Sequence, residues 1–266
     1  MERLLIAKPV ELQRLIGKIE ALRNSPDLET AAQAFASVLY DRFPKMFILV
    51  RLFASVRFDG LPKNDQRLVE DKARAFGETL PVPVGTPVLA LLGTRGCQPE
   101  WNIRQRSQRF RCLPLLSSRY VGSLSMLCLQ LDAMGFALST LDSWEANTAA
   151  GRADQWAGWV HIANPAADRD RQGRMAVPAQ DFVAAHGVKS VIGAGAGYKH
   201  HPTLLTLFTF CAEPTDPALG GPMQGLVEAF RRATEPLVQA GAIFAQLSNQ
   251  RRTTLEHNLH RNSNCR

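Results

Sequence analysis

Apolar residues recur at spacings of three and four through residues 10 to 23, where Leu12, Leu15, Ile19 and Leu22 alternate with Glu, Gln, Lys and Arg. This pattern predicts a helix with a narrow apolar seam. Asn24-Ser25-Pro26-Asp27 interrupts it, and Ser25 or Asp27 can cap a second helix that carries Leu28, Ala32, Phe35, Val38 and Leu39 up to Pro44. The period then shortens. Met46 to Phe58 is rich in Phe, Ile, Leu and Val and alternates loosely, which predicts the first strand.

Pro62 to Thr79 reads as a surface helix, and Pro81, Pro83 and Pro87 impose an extended connection to a second strand over Val88 to Leu92, ended by Gly93. Cys112 to Leu116 is expected as a short strand, and Tyr120 to Met134 as a helix closed by Gly135. Phe136 to Leu141 and Trp156 to Ile162 are further strand candidates, and the polar run Asn164 to Met175 is expected as a loop. A short helix over Pro178 to His186 stops at Gly187, and strands follow at Val188 to Gly193 and Thr203 to Ala212. From Met223, the residues Leu226, Phe230, Ala233, Leu237, Ala240, Phe244 and Leu247 form the seam of a bundle or coiled-coil helix, with a kink at Pro236. Apolar density falls after Gln250, so residues 251–266 are expected to be a disordered tail.

Composition narrows the classes. A chain of 266 residues with 45% hydrophobic content can bury a proper core. The longest apolar stretch is interrupted by Arg51, and the N-terminal apolar run is too short for a secretory signal, so a cytoplasmic chain without a membrane span is expected. Five cysteines at 97, 112, 128, 211 and 265 form no C-x-x-C pair, which points to neither a disulfide framework nor a zinc ribbon. The net charge of +7 is spread along the chain and gives a bias toward anions; with little aromatic interleaving, nucleic-acid binding ranks last.

Several segments could carry chemistry. Gly193-Ala-Gly-Ala-Gly197 has the glycine content of a phosphate loop, but Tyr198-Lys199-His200-His201-Pro202 and another strand follow it, so a flexible hairpin is expected. His200 and His201 are weak candidates for a metal, because neighbours on a strand point to opposite faces. No nucleophile elbow, Walker loop or paired-acid motif is readable, and on that ground the chain is expected not to be an enzyme. The segment from Gly96 to Ser107 differs, since it gathers an aromatic, an amide, a thiol, a hydroxyl and guanidinium groups in one loop. Arg95, Arg104, Arg106, Arg109 and Arg111 meet only Glu100 there, which describes either a solvated basic loop or a site for an anion. Candidate ligand-binding residues are Cys97, Trp101, Asn102, Arg104, Arg106 and Ser107.

The run Gly187-Val-Lys-Ser-Val-Ile-Gly-Ala-Gly-Ala-Gly197 with the strand Leu204 to Cys211, together with Leu91-Leu-Gly-Thr-Arg-Gly96, Glu100-Trp-Asn-x-Arg104, Ser107 and Pro178-Ala-Gln-x-Asp-Phe182, resembles the GAF-like input domains of bacterial signalling proteins. The resemblance covers roughly residues 28 to 235. It implies an α+β fold, with a five- or six-stranded antiparallel sheet, helices on its faces and long N- and C-terminal helices. It divides the chain into an N-terminal seam helix (1–26), a sensory domain (27–218), a C-terminal signalling and dimerisation helix (219–250) and the tail. It further implies a homodimer that binds a small molecule and addresses a downstream signalling domain or protein. The family takes many ligands, so neither ligand nor cofactor is named. The alternatives are a redox enzyme on the same scaffold using Cys97 and Cys112, and a haem- or metal-binding sensor.

Overall fold

The computed structural model describes residues 8–78, 80–107 and 109–245. Strands β1 (Phe47–Arg57), β2 (Pro87–Gly96), β3 (Cys112–Pro114), β4 (Ala157–Ile162), β5 (Ser190–Gly197) and β6 (Leu204–Cys211) form one antiparallel sheet in the order β3-β2-β1-β6-β5-β4. Among the described residues the α-helices are α1 (Pro9–Glu20), α2 (Leu28–Arg42), α3 (Lys63–Phe76), α4 (Ser118–Gly122), α5 (Ser125–Ala133), α6 (Ala146–Arg152), α7 (Gln180–His186) and α8 (Gly220–Gln239). This is the α+β architecture that the GAF-like resemblance implies, with six strands and helices on both faces of the sheet.

Alternation along the strands divides the interior in two. Val50, Leu52 and Ala54 of β1 face one core, shared with α1, α2, α3 and α8. Leu49 and Phe53 face the other, beneath α4, α5 and α7. The α2 start follows its sequence signal, because Asp27 accepts a hydrogen bond from the Thr30 amide at 2.8 Å. The amides of Leu28 and Glu29, which no helix turn can satisfy, donate to the carbonyls of Ala242 and Ile243. The chain after α8 thus returns to cap the helix that opens the domain.

Several expectations are corrected. Strand β2 passes through Gly93 and ends at Gly96, because the glycine marks a close approach: a β-carbon there would stand 2.0 Å from the Ala32 carbonyl oxygen of α2. The register of β1 against β2 shifts between Leu52 and Phe53, opposite this point. The glycine-alanine run is no hairpin but the buried interior of β5. Ala194 and Ala196 face the α8 side, while Gly193, Gly195 and Gly197 leave room for Gln130, Met134 and the Ala153 carbonyl. Residues 120 to 134 make two helices, since the Ser123 hydroxyl donates to the Tyr120 carbonyl at the break. Leu138–Leu141 is a 3-10 turn, and Phe136 packs edge-on to Trp156 at 4.8 Å instead of pairing in the sheet.

Helix α8 stops at Gln239, and Gly241 turns the chain with φ 63°. Phe244 is buried but not helical; Leu247 and the expected tail lie outside the described residues. The apolar stripe of α8 packs against the sheet and α1 of its own chain. No helix among the described residues is long and apolar enough to cross a membrane.

Candidate functional site

A cavity of about 220 Å³ opens between the sheet and the α5–α7 layer. A void of about 150 Å³ suffices for benzene, so the space fits a small molecule. Its floor is Leu49, Arg51 and Phe53 of β1 with Phe208 and Phe210 of β6. Leu124, Met126 and Leu127 form one wall, Pro178, Ala179 and Phe182 another. Trp101, Arg109, Phe110 and Leu113 close the side formed by the loop after β2.

Aromatic packing holds that closure. Trp101 meets His186 edge-on at 4.7 Å and Phe182 at 5.5 Å, and Phe182 in turn meets Phe210 at 5.2 Å. The Trp101 carbonyl accepts from the Thr94 hydroxyl at 2.8 Å, which ties the turn back to β2.

The cavity's polar centre is Arg51. It lies in phase with Leu49 and Phe53 and therefore points into the apolar layer. Its Nη2 donates to the Ser107 hydroxyl at 2.8 Å, and its buried Nε has no partner. No carboxylate forms an ion pair with it among the described residues; Asp181, at the rim, is the acidic lining residue. Burial draws the guanidinium down to about 10, which still leaves it charged at neutral pH. The Phe110 ring meets two cations, Arg51 at 5.7 Å and Arg109 at 5.3 Å from its centre.

The structure brings only Trp101 and Ser107 of the expected ligand residues to this place. Asn102 instead accepts from the Gly96 amide at 2.8 Å and fixes the turn. Arg106 and Cys97 are exposed and line no part of the cavity. Arg104 is buried away from the cavity: its Nε donates to the Leu91 carbonyl at 2.6 Å, its Nη2 to Asp65 at 2.7 Å, and Glu29 lies 3.7 Å away. Its guanidinium sits 5.2 Å from the Phe244 ring centre. Arg111 pairs with the other Asp65 oxygen at 2.9 Å. Arg104 and Arg111 therefore neutralise a buried acid, and the positive field expected from the arginine cluster is largely consumed inside the fold. Burial also pushes the Glu29 carboxyl up and draws the Lys72 ammonium beside this cluster down to about 8.

His200 is an exposed turn residue with φ 54°, and the His201 ring accepts from the Thr203 amide at 3.3 Å. Among the described residues no group of three or more His, Cys, Asp or Glu side chains could hold a metal.

No model of a protein family matches the chain, and no curated protein matches it. A solved structure similar to it is the free methionine-R-sulfoxide reductase of Neisseria meningitidis in complex with its substrate, at 11% identity and a TM-score of 0.45, over 87% of this chain and 92% of that one. That neighbour is an enzyme, which stands against the expectation of a chain without enzymatic chemistry.

The thiols differ sharply in setting. Cys97 is exposed, whereas Cys112 and Cys211 are buried in the core on the face opposite the cavity, where desolvation pushes both up to about 12. Iodoacetamide labelling read by peptide mass spectrometry is expected to modify Cys97 in the native protein and Cys112 and Cys211 only after unfolding. Native labelling of Cys112 at the rate of Cys97 would contradict this arrangement.

Arg51 was legible only as an interruption of an apolar stretch. The signal that marks it is its phase, one alternation from Leu49 and from Phe53, which places a charge where a strand should bury a side chain.

Proposed function

We propose that the chain is a regulatory module that binds a small molecule in this cavity and reports its occupancy through the segment that follows α8 to an output partner. The observation that carries the reading is the double role of the loop after β2. On one side Trp101 closes the cavity and Ser107 accepts from Arg51 in its floor; on the other, Arg104 is bonded to Asp65 and stacked on Phe244 of the segment that caps α2. A ligand that favours one loop position over another thereby biases the contacts of residues 240–245. The homodimer and the downstream partner belong to this proposal.

Toluene, a neutral apolar probe, is expected to bind by saturation-transfer NMR and to change amide exchange at residues 240–245. Ala179→Trp, which places an indole at the cavity wall, is expected to weaken that binding at least roughly tenfold, the scale of a ring-sized apolar contact. Binding without any change at 240–245 would sink the relay. Turnover of free methionine-R-sulfoxide with dithiothreitol would instead assign the chain to redox enzymes, with Cys97 and Cys112 as the thiols to replace first.

A further inference from the structure

We infer that the cavity is built for an apolar monocarboxylate, gripped by Arg51 in the floor with its hydrocarbon part among Phe53, Leu127, Phe208 and Phe210. The inference rests on the small-molecule reading above and names the ligand class of that same site.

A guanidinium in an apolar wall is costly unless something pairs with it. Two other buried arginines among the described residues satisfy this rule, Arg104 with Asp65 and a carbonyl and Arg231 with Glu228 at 3.0 Å. Arg51 does not: among the described residues it pairs with no carboxylate, it donates to the neutral Ser107 hydroxyl, and its buried Nε has no partner. The residue lies in the middle of an eleven-residue strand paired on both sides, so its side chain is held over the cavity floor by the sheet and cannot swing to solvent with a loop. The missing partner is therefore an anion supplied from outside.

The shape of the donor set selects the anion. Arginine presents its N–H groups as a planar fork, which matches the two oxygens of a carboxylate. A phosphate dianion calls for several convergent donors, and here the second cation of the lining, Arg109, is stacked on the Phe110 ring at 5.3 Å. The remaining floor and walls are predominantly apolar, led by leucine, methionine and phenylalanine, which favours a hydrocarbon body. A volume of about 220 Å³ suits one ring or a short chain beside the carboxylate. Asp181 at the rim disfavours a second negative charge on the exposed end, which argues for a monoanion.

Calorimetric titrations with phenylacetate, phenylacetamide and toluene test the class. Phenylacetate is expected to bind at least roughly tenfold more tightly than the isosteric amide, the difference between a charged and a neutral hydrogen-bonded pair. In Arg51→Met that ratio is expected to fall to about one while toluene binding persists, because only the charge recognition is removed. Where the Met variant does not fold, Arg51→Gln is read in its place, with the same loss of ratio expected. Toluene binding with no preference for phenylacetate over its amide would overturn the carboxylate and leave the small-molecule reading intact. Failure of all three probes would overturn both. Inorganic phosphate binding more tightly than phenylacetate, in an Arg51-dependent way, would also overturn the inference and make the site a phosphate site.

Discussion

Replacing Asp65 by asparagine is expected to destabilise the protein by about 3–5 kcal/mol, the cost of leaving buried charge without its counter-ion. The carboxylate is almost fully enclosed and is shared by Arg104 at 2.7 Å and Arg111 at 2.9 Å. Without it, among the described residues, Arg104 keeps Glu29 at 3.7 Å as a counter-ion besides the Leu91 carbonyl, and Arg111 loses its ion pair. Both arginines belong to the loop that walls the cavity, so the damage should not be confined to stability. Urea unfolding followed by circular dichroism gives the first effect; loss of toluene binding in the still-folded fraction at low temperature gives the second. A loss below about 1 kcal/mol would mean that the pair is solvated like a surface salt bridge.

Gly93→Ala is the second large effect. The new β-carbon would sit 2.0 Å from the Ala32 carbonyl oxygen and 2.4 Å from its carbon, both backbone atoms of a packed helix. Neither can turn aside as a side chain can, so α2 or β2 must shift. The expected cost lies at or above the upper end of the roughly 1–3 kcal/mol typical of overpacking. Gly17→Ala supplies the control, because nothing stands within 4 Å of a β-carbon there and the position is inside α1. It is expected to stabilise by about 0.5–1 kcal/mol through helix propensity. The two alanine variants, measured side by side for urea midpoint, should move in opposite directions. Equal and small shifts would show that the α2–β2 contact is looser than its geometry.

The coupling proposed between the cavity and the segment after α8 has a simple mechanical basis. Arg104 is one side chain in a short loop, yet it touches α3 through Asp65, β2 through the Leu91 carbonyl and the segment after α8 through Phe244. Trp101, three residues earlier, closes the cavity against Phe182 and His186. A displacement of the loop cannot relax at one end without being felt at the other, because both ends are packed in the interior.

Much of this fold was readable from local pattern. The seam of Leu15 and Ile19, the Asp27 cap, the strand from residue 47 and the strand from residue 204 all appear where periodicity and capping place them. Such signals survive because they depend on which face of a regular element is apolar, a property of neighbouring residues alone. Gly93 and the run from Gly193 to Gly197 were read as ends and turns for the same local reason: glycine breaks elements more often than it completes them. In this fold each of them admits a helix or side chain from elsewhere in the chain, which no local window contains.

The site divides along the same line. Residue chemistry alone marked the loop from Gly96 to Ser107 as unusual; Trp101 does border the cavity, and Ser107 bonds to Arg51 in its floor. Five arginines in a row of loop positions looked like one positive surface, but only tertiary contacts decided that Arg104 and Arg111 neutralise Asp65 while Arg51, from a distant strand, supplies the charge in the cavity. The sequence by itself determined the elements, their faces and the α+β class. Which arginine is paired and which is left for a ligand was decided by the packing of β1, α3 and the loop against one another, because a charge acquires its partner from residues that are near in space and remote along the chain.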